Sequence, residues 1–303
     1  MALVAQGTMN KTNFGDLLEP GFRKIFFDEL AQLPTVYDQV FHVLNSSKQQ
    51  ESDSSVSGLG QLVEASDSES LTYESLNQGY NKAYIHKTFK KGIKIERELY
   101  DDDQYNIISK GPAKLAQAAT RTVENTAGNV FDNAFASGTG GDAKYLCDTQ
   151  HPRTDGGTVQ SNAATAVLAE GGLFAGLLAM RKTLDDKGQK VLVQPNTLLI
   201  PPDQGNTARV LLQSTGRTGT NYNEINPVSG ALKIVEWDYL DGSTTQWFIL
   251  DSGVHELNFF WRVKPEFTND TSFETDVAKY KAYCRYSVGF SDWRGVYGST
   301  GTS

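Results

Sequence analysis

Between Leu71 and Arg97 the chain alternates apolar and cationic side chains over a length that no isolated element sustains. Leu71, Tyr73, Tyr80, Tyr84, Ile85, Phe89, Ile93 and Ile95 partly interleave with Lys87, Lys91 and Lys94, which is the period of extended backbone. The pattern predicts a long two-stranded arm with one partly apolar face. A lone hairpin does not hold together in water, so something else must cover that face. Ahead of it, Asn45 to Ser70 is sharply polar, with the runs Ser46 to Ser55 and Ser66 to Ser70; composition alone reads this as a disordered linker. Residues 1–45 read as a mostly extended or lightly helical arm, with Phe22, Ile25, Phe26 and Leu30 in a short amphipathic pattern before Pro34. The expectation is that arm and hairpin bury their apolar sides only against other copies of the chain, which makes assembly obligate.

The rest of the chain reads as α+β. After Asp101-Asp102-Asp103 and Gly111-Pro112, the residues Leu115, Ala119, Val123, Ala127, Val130, Phe131, Ala134 and Phe135 recur at helical steps. They predict a helix of roughly 25 residues, about 37 Å long, with Arg121 and Glu124 on its other faces and Ser137 to Gly141 as its stop. A second helix is expected from about Ala166 to Leu184. Strands are expected at Val191–Val193, Thr197–Ile200, Lys233–Trp237, Gln246–Leu250 and Leu257–Val263, with an Asp241-Gly242 turn between the third and fourth. A short helix is expected over 204–213 and a loop over 214–230. From Ala278 to Phe290 apolar residues alternate without error against Lys279, Lys281, Arg285 and Ser287, predicting a long strand.

Chemistry is harder to find. Gly138-Thr139-Gly140-Gly141 loosely matches a dinucleotide fingerprint, but it follows a helix instead of preceding one and reads as a helix cap and turn. Cys147 and His151 stand four apart, yet His42, His86, His255 and Cys284 offer no paired spacing to complete a zinc site. No nucleophile elbow occurs. No catalytic, cofactor or metal residues are assigned, and the chain is expected not to be an enzyme. The formal net charge of −8 argues against a sequence-reading nucleic-acid binder while permitting a protein that encloses DNA without gripping it. No apolar run reaches membrane-span length, the N-terminus lacks the pattern of a secretory signal, and two cysteines in 303 residues fit a reducing compartment.

One charge feature is out of proportion: Lys82, Lys87, Lys90, Lys91, Lys94 and Arg97, with Glu64, Asp67, Glu69 and Glu74 across the expected arm. Charge pairing within the arm contributes little per pair; docking of the basic residues on an acidic neighbouring subunit is the compatible functional reading.

The order of parts resembles the Hong Kong 97-type phage capsid fold, and more specifically the Mu-like major head subunit group. The residues that carry the resemblance are Asp148-Thr149-Gln150-His151-Pro152 with Ser161-Asn162, Asp186-Lys187-Gly188 leading into Gln194 to Pro202, Ala208 to Leu212, Asn223 to Asn226, Gln246 to Asp251, and Gly289 to Arg294. The resemblance implies an N-terminal arm at 1–45, an extended loop at 46–100, a spine helix and the first part of a peripheral domain at 101–190, an axial domain at 191–255, and peripheral strands at 256–303. It also implies hexamers and pentamers of an icosahedral shell around double-stranded DNA, each extended loop lying over a neighbour, with the subunit assembled in the bacterial cytoplasm and located in the virion. Portal, scaffolding and decoration proteins are its implied partners; the early start of the arm favours a separate scaffolding protein. An encapsulin-like compartment with a protein cargo and a phage surface binding module are the rival readings.

Overall fold

A computed structural model of the protein describes residues 11–64, 67, 70, 73–76, 78–96, 108, 110–217, 224–272 and 277–302. Arg97, Leu71, Glu69, Asn223 and the Asp101-Asp102-Asp103 run lie outside the described residues.

The α+β expectation holds, and its two longest elements form the frame. Helix α3 (Lys110–Asp132) buries Leu115, Val123, Ala127 and Phe131 of the predicted helical stripe, together with Ala116. It rests on a four-stranded sheet in the order β1-β9-β10-β4, where β1 is His42–Asn45, β4 Lys87–Glu96, β9 Leu257–Ser272 and β10 Val277–Phe290. Tyr280, Ala282, Cys284 and Tyr286 of β10 are buried, while Lys281 between them is exposed. Strand β9 runs well past the expected Val263 because its ladder with β10 continues to Ser272. Helix α3 stops at Asp132, short of the glycines, and turns over 133–137 before Gly138 takes φ +80°, a conformation that glycine adopts without a Cβ penalty.

The second layer is a five-stranded sheet ordered β5-β11-β8-β6-β7, from Ala163–Ala164, Val296–Ser299, Trp247–Leu250, Thr197–Ile200 and Lys233–Glu236. Strands β7 and β8 are not a hairpin around Asp241-Gly242. Both pair with β6, the first parallel and the second antiparallel, so β6 lies between them and is buried along its length. Helices α4 (Glu170–Arg181) and α5 (Gly205–Gln213) cover this sheet around Leu173, Leu198, Ile200, Leu212, Trp247 and Ile249. Helix α4 begins later than Ala166 because the Ala166 carbonyl is occupied by Trp247 Nε1 and Ser299 Oγ, and it ends before Leu184. Val191–Val193 is not a strand; only a single bridge joins Leu184 and Lys190 nearby.

Two expectations about the front of the chain are overturned. The stretch 78–96 is not a hairpin. Strand β3 (Gln78–Ile85) pairs with β2 (Gln50–Val56), while β4 pairs with β10. Only His86 separates β3 from β4, fewer residues than the two that a tight hairpin loop takes, so the chain runs straight from one sheet into the other. His86 is buried at this crossing between Ser46 Oγ (3.1 Å) and Ser287 Oγ (3.0 Å). The serine-rich run 50–56 is therefore a strand and not a linker; its ladder comes from the backbone and asks little of its side chains.

The leading arm is the helix α1 (Lys11–Gln32), followed by the short α2 (Tyr37–Val40). Phe22 and Phe26 are buried within the same chain, against Tyr280 at 5.1 Å and Phe267 at 5.2 Å between ring centroids. Arm and basic strand thus cover their apolar sides largely on their own subunit. What they leave uncovered is narrower and lies elsewhere.

Candidate functional site

The residues that sequence reading tested for chemistry are structural. Cys147 is buried, and burial alone pushes its thiol far above the ordinary range; Cys284 is raised to about 11 for the same reason. His151 is fully buried, with Nδ1 at 2.6 Å from Asp142 Oδ2, Nε2 at 3.0 Å from Asn162 Oδ1, and its ring stacked on Trp293 at 4.4 Å. Asn162 is locked in turn, because its Nδ2 donates to the carbonyls of Leu146 and Val296. This cluster ties the loop after α3 to the C-terminal strand. Among the described residues, no group of three or more His, Cys, Asp or Glu is placed to hold a metal ion, and no helix is long and apolar enough to cross a membrane.

The basic stretch divides by position. Lys82 lies on β3, where its half-buried ammonium donates to the Thr139 carbonyl and sits 6.0 Å from the Phe290 ring centre; burial lowers its pKa. Lys87, Lys90, Lys91 and Lys94 are exposed on β4, the free edge of the four-stranded sheet. Lysines on an edge strand oppose strand-to-strand aggregation, and the register shows a second consequence. Lys94 lies opposite Lys279, Lys90 opposite Tyr283, Gly92 opposite Lys281 and Thr88 opposite Arg285. Directly opposed residues share a face, so Lys90, Lys94, Lys279, Lys281 and Arg285 form one cationic band on the side of the sheet away from α3. None of these cations has an ion-pair partner among the described residues, and Arg285 Nε is buried without an acceptor. Glu266 and Asp270 flank the band on β9. Sequence reading missed the β10 half of it. The alternation of 278–290 did place Lys279, Lys281 and Arg285 on one side, but which strand lay next to them could not be read.

A second surface carries the opposite charge. From Gln49 to Asn81 there is no lysine or arginine, and the segment holds Glu51, Asp53, Glu64, Asp67, Glu69 and Glu74. Its outer part also exposes large apolar side chains: Leu62 is 101% exposed, Val63 71%, Tyr73 90% and Leu76 64%. Glu74 does not face the basic strand as expected. It pairs with Lys187 at 2.7 Å and accepts the Gly60 amide at 2.7 Å, and these bonds, Lys187 first, hold its carboxyl below the usual carboxylate range. The outer part of the acidic segment is therefore anchored beside the Asp185–Gln189 turn by Lys187, and not by the cationic band.

A family model described as "Phage capsid protein" matches residues 80–299. No curated protein matches the sequence. Among solved structures, the bacteriophage JBD30 capsid aligns over 79% of this chain and 100% of its own with TM-score 0.60 and 14% identity. The mature capsid of bacteriophage PhiM1 aligns over 89% of this chain and 87% of its own, with TM-score 0.60 and 9% identity. A virus-like particle from Pyrococcus furiosus aligns over 92% and 98%, with TM-score 0.55 and 8% identity. At such identities these likenesses speak for the fold, which is the Hong Kong 97-type capsid fold.

Proposed function

The chain belongs to the phage capsid protein family, and from that premise we propose that it is a Mu-like major head subunit whose copies form the hexamers and pentamers of an icosahedral shell around double-stranded DNA. Its role is structural. The axial domain is about 191–255, which carries β6, β7 and β8 of the five-stranded sheet; the extended loop is 46–100, and α3 is the spine; the N-terminal arm is 1–45, and the peripheral parts are 101–190 and 256–303. Portal, scaffolding and decoration proteins are its partners, and assembly takes place in the host cytoplasm.

The observation that carries this reading is the charge complementarity of the two uncovered surfaces. The outer acidic segment carries bare apolar side chains and is held through Glu74 on Lys187, while the cationic band makes no ion pair with it among the described residues. Between copies they fit. Complementary charge chiefly selects partner and register, while the exposed leucine, valine and tyrosine side chains supply apolar area at about 25 cal/mol per Å² buried. The docking set of Lys82, Lys87, Lys90, Lys91, Lys94 and Arg97 narrows on this view to Lys90 and Lys94, joined by Lys279 and Lys281.

Electron microscopy of the expressed protein, with and without nuclease treatment, tests the shell and its content. A protein cargo in place of DNA would indicate an encapsulin-like compartment, and monomers or trimers a surface binding module. Glutamate at Lys90, Lys94, Lys279 and Lys281 together should leave soluble, folded subunits that no longer close shells. Unchanged shells would discard the docking surface.

A further inference from the structure

The β2–β3 ribbon meets the body of the subunit at the start of β9 and just after β10. Asn258 Nδ2 lies 3.5 Å from the Tyr84 hydroxyl, Tyr84 lies 2.6 Å from Ser291 Oγ, and Ser291 donates to Asp53 Oδ2 at 2.5 Å. Ser291 has one proton, and Asp53 takes it, so Tyr84 is the donor to Ser291 and the relay runs in one direction. It ends on a carboxylate that belongs to the ribbon.

Beside the relay is a crevice lined by Ser55 and Tyr80 from the ribbon, Asp142 from the loop after α3, and Glu256, Ser291, Asp292, Trp293 and Arg294 from the body. Arg294 is the cation there, and its donors are committed: Nη2 to Asp186 at 3.0 Å, Nη1 to Asp292 at 2.7 Å and Nε to the Leu184 carbonyl at 2.9 Å. Glu256 has no ion-pair partner among the described residues. It shares the crevice with Asp142, Asp292, Arg294 and Ser291, the last being the donor to Asp53 of β2, and its charge is felt by Tyr84 of β3.

We propose that Glu256 controls the seating of the ribbon by its protonation: neutral Glu256 tolerates Asp53 beside it, and ionised Glu256 repels Asp53 and loosens the ribbon from the body. Burial first, then Asp292 and Asp53, raise the Glu256 carboxyl to about 7 against partial relief from Arg294, while Tyr84, raised to about 12 by burial, stays a donor throughout. The sign follows from a seated state that holds the proton more tightly than the released one. The penalty is absent below the ordinary carboxylate range, grows as pH rises, and is complete above about 7. The device acts within one subunit, so it can fail without touching the shell reading, and the reverse.

Hydrogen–deuterium exchange of the full chain at about pH 5.5 and about pH 8, corrected for intrinsic rates, tests it. Protection in 50–56 and 78–85 should fall roughly tenfold at the higher pH, while 277–290 stays protected at both values and reports that the body remains folded. Glu256→Gln should keep the lower-pH protection at both values. A ribbon insensitive to pH in the wild type, or a Glu256→Gln protein that retains the full drop, would overturn the proposal. If Glu256→Gln loses protection in 277–290 and so fails to fold, Asp53→Asn reads the same repulsion from the ribbon's side: a flattened response supports the switch and an undiminished drop rejects it.

Discussion

Glu124 Oε2 accepts the indole Nε1–H of Trp237 at 2.7 Å, joining the middle of the spine helix to the end of β7 inside the core. Its Oε1 accepts the Val36 amide at 2.9 Å and lies 3.5 Å from the Tyr37 amide, which holds the start of α2 against the same helix. One side chain, 2% exposed, thus ties three segments. Burial raises its pKa above the ordinary value, and the three donors are what make a carboxylate tolerable there. Alanine would leave the Trp237 and Val36 donors buried without acceptors, so Glu124→Ala should cost about 2–4 kcal/mol, and Glu124→Gln, which keeps one acceptor, about 1–2. Urea denaturation of unassembled subunits measures both. Equal losses for the two variants would show that lost packing, and not lost acceptance, sets the cost.

Phe26 makes α1 part of the folded subunit. It is fully buried and packs on Phe267 and Phe27. Phe26→Ala should destabilise by about 3–5 kcal/mol, with the loss concentrated in α1 and the β9–β10 ends. Proteolysis before assembly should then cut within 11–32. A variant as resistant as the wild type would mean that α1 gains its order from neighbours in the shell.

At Gly128 the spine helix passes so close to the chain beyond β7 that an added Cβ would lie 2.4 Å from the Tyr239 carbonyl oxygen. That atom is backbone and cannot step aside as a flexible side chain would. In an exposed helix alanine would stabilise at this position by roughly 0.5–1 kcal/mol. Here Gly128→Ala should instead destabilise by about 1–3 kcal/mol through overpacking, and a thermal melt that rises would contradict the close approach.

Periodicity carried most of what was legible in the sequence. Helix Lys110–Asp132 and strand Val277–Phe290 bury one clean stripe each, so their residues announce the element. Strand Gln50–Val56 was hidden because its side chains alternate only between exposed and half-exposed; its backbone ladder with β3 leaves no hydrophobic trace. Partners were hidden for a different reason. Period 2 says that 87–96 is extended but not that its neighbour is β10, and without that neighbour the cationic band is split between two distant stretches. Glu124 misled because a lone carboxylate in a helix reads as solvent-facing until the donors that hold it, Trp237 and Val36, are known.

His255 should make the body sensitive to acid. It is 4% exposed, its ring lies 4.6 Å from that of His42, and its Nδ1 faces the Leu257 amide at 3.4 Å as an acceptor, which requires that nitrogen to be unprotonated. Burial first, and then His42, lower its pKa to about 4. An unfolded chain takes up the proton near the ordinary value of about 6.5, so the unfolded state binds more protons between the two values and stability falls as pH drops through that window. Above about 6.5 the contribution is complete; by about 4 it is gone. The loss should stay below about 3 kcal/mol. Neighbouring Glu256 acts in the opposite sense, since its raised carboxyl weakens the structure as pH rises toward 7. Subunit stability should therefore pass through a shallow maximum in mildly acidic solution. His255→Gln, a neutral side chain at that site, should remove the acid limb and leave the alkaline limb intact. Denaturation midpoints across that range that still fall on the acid side in the variant would place the acid sensitivity in another group.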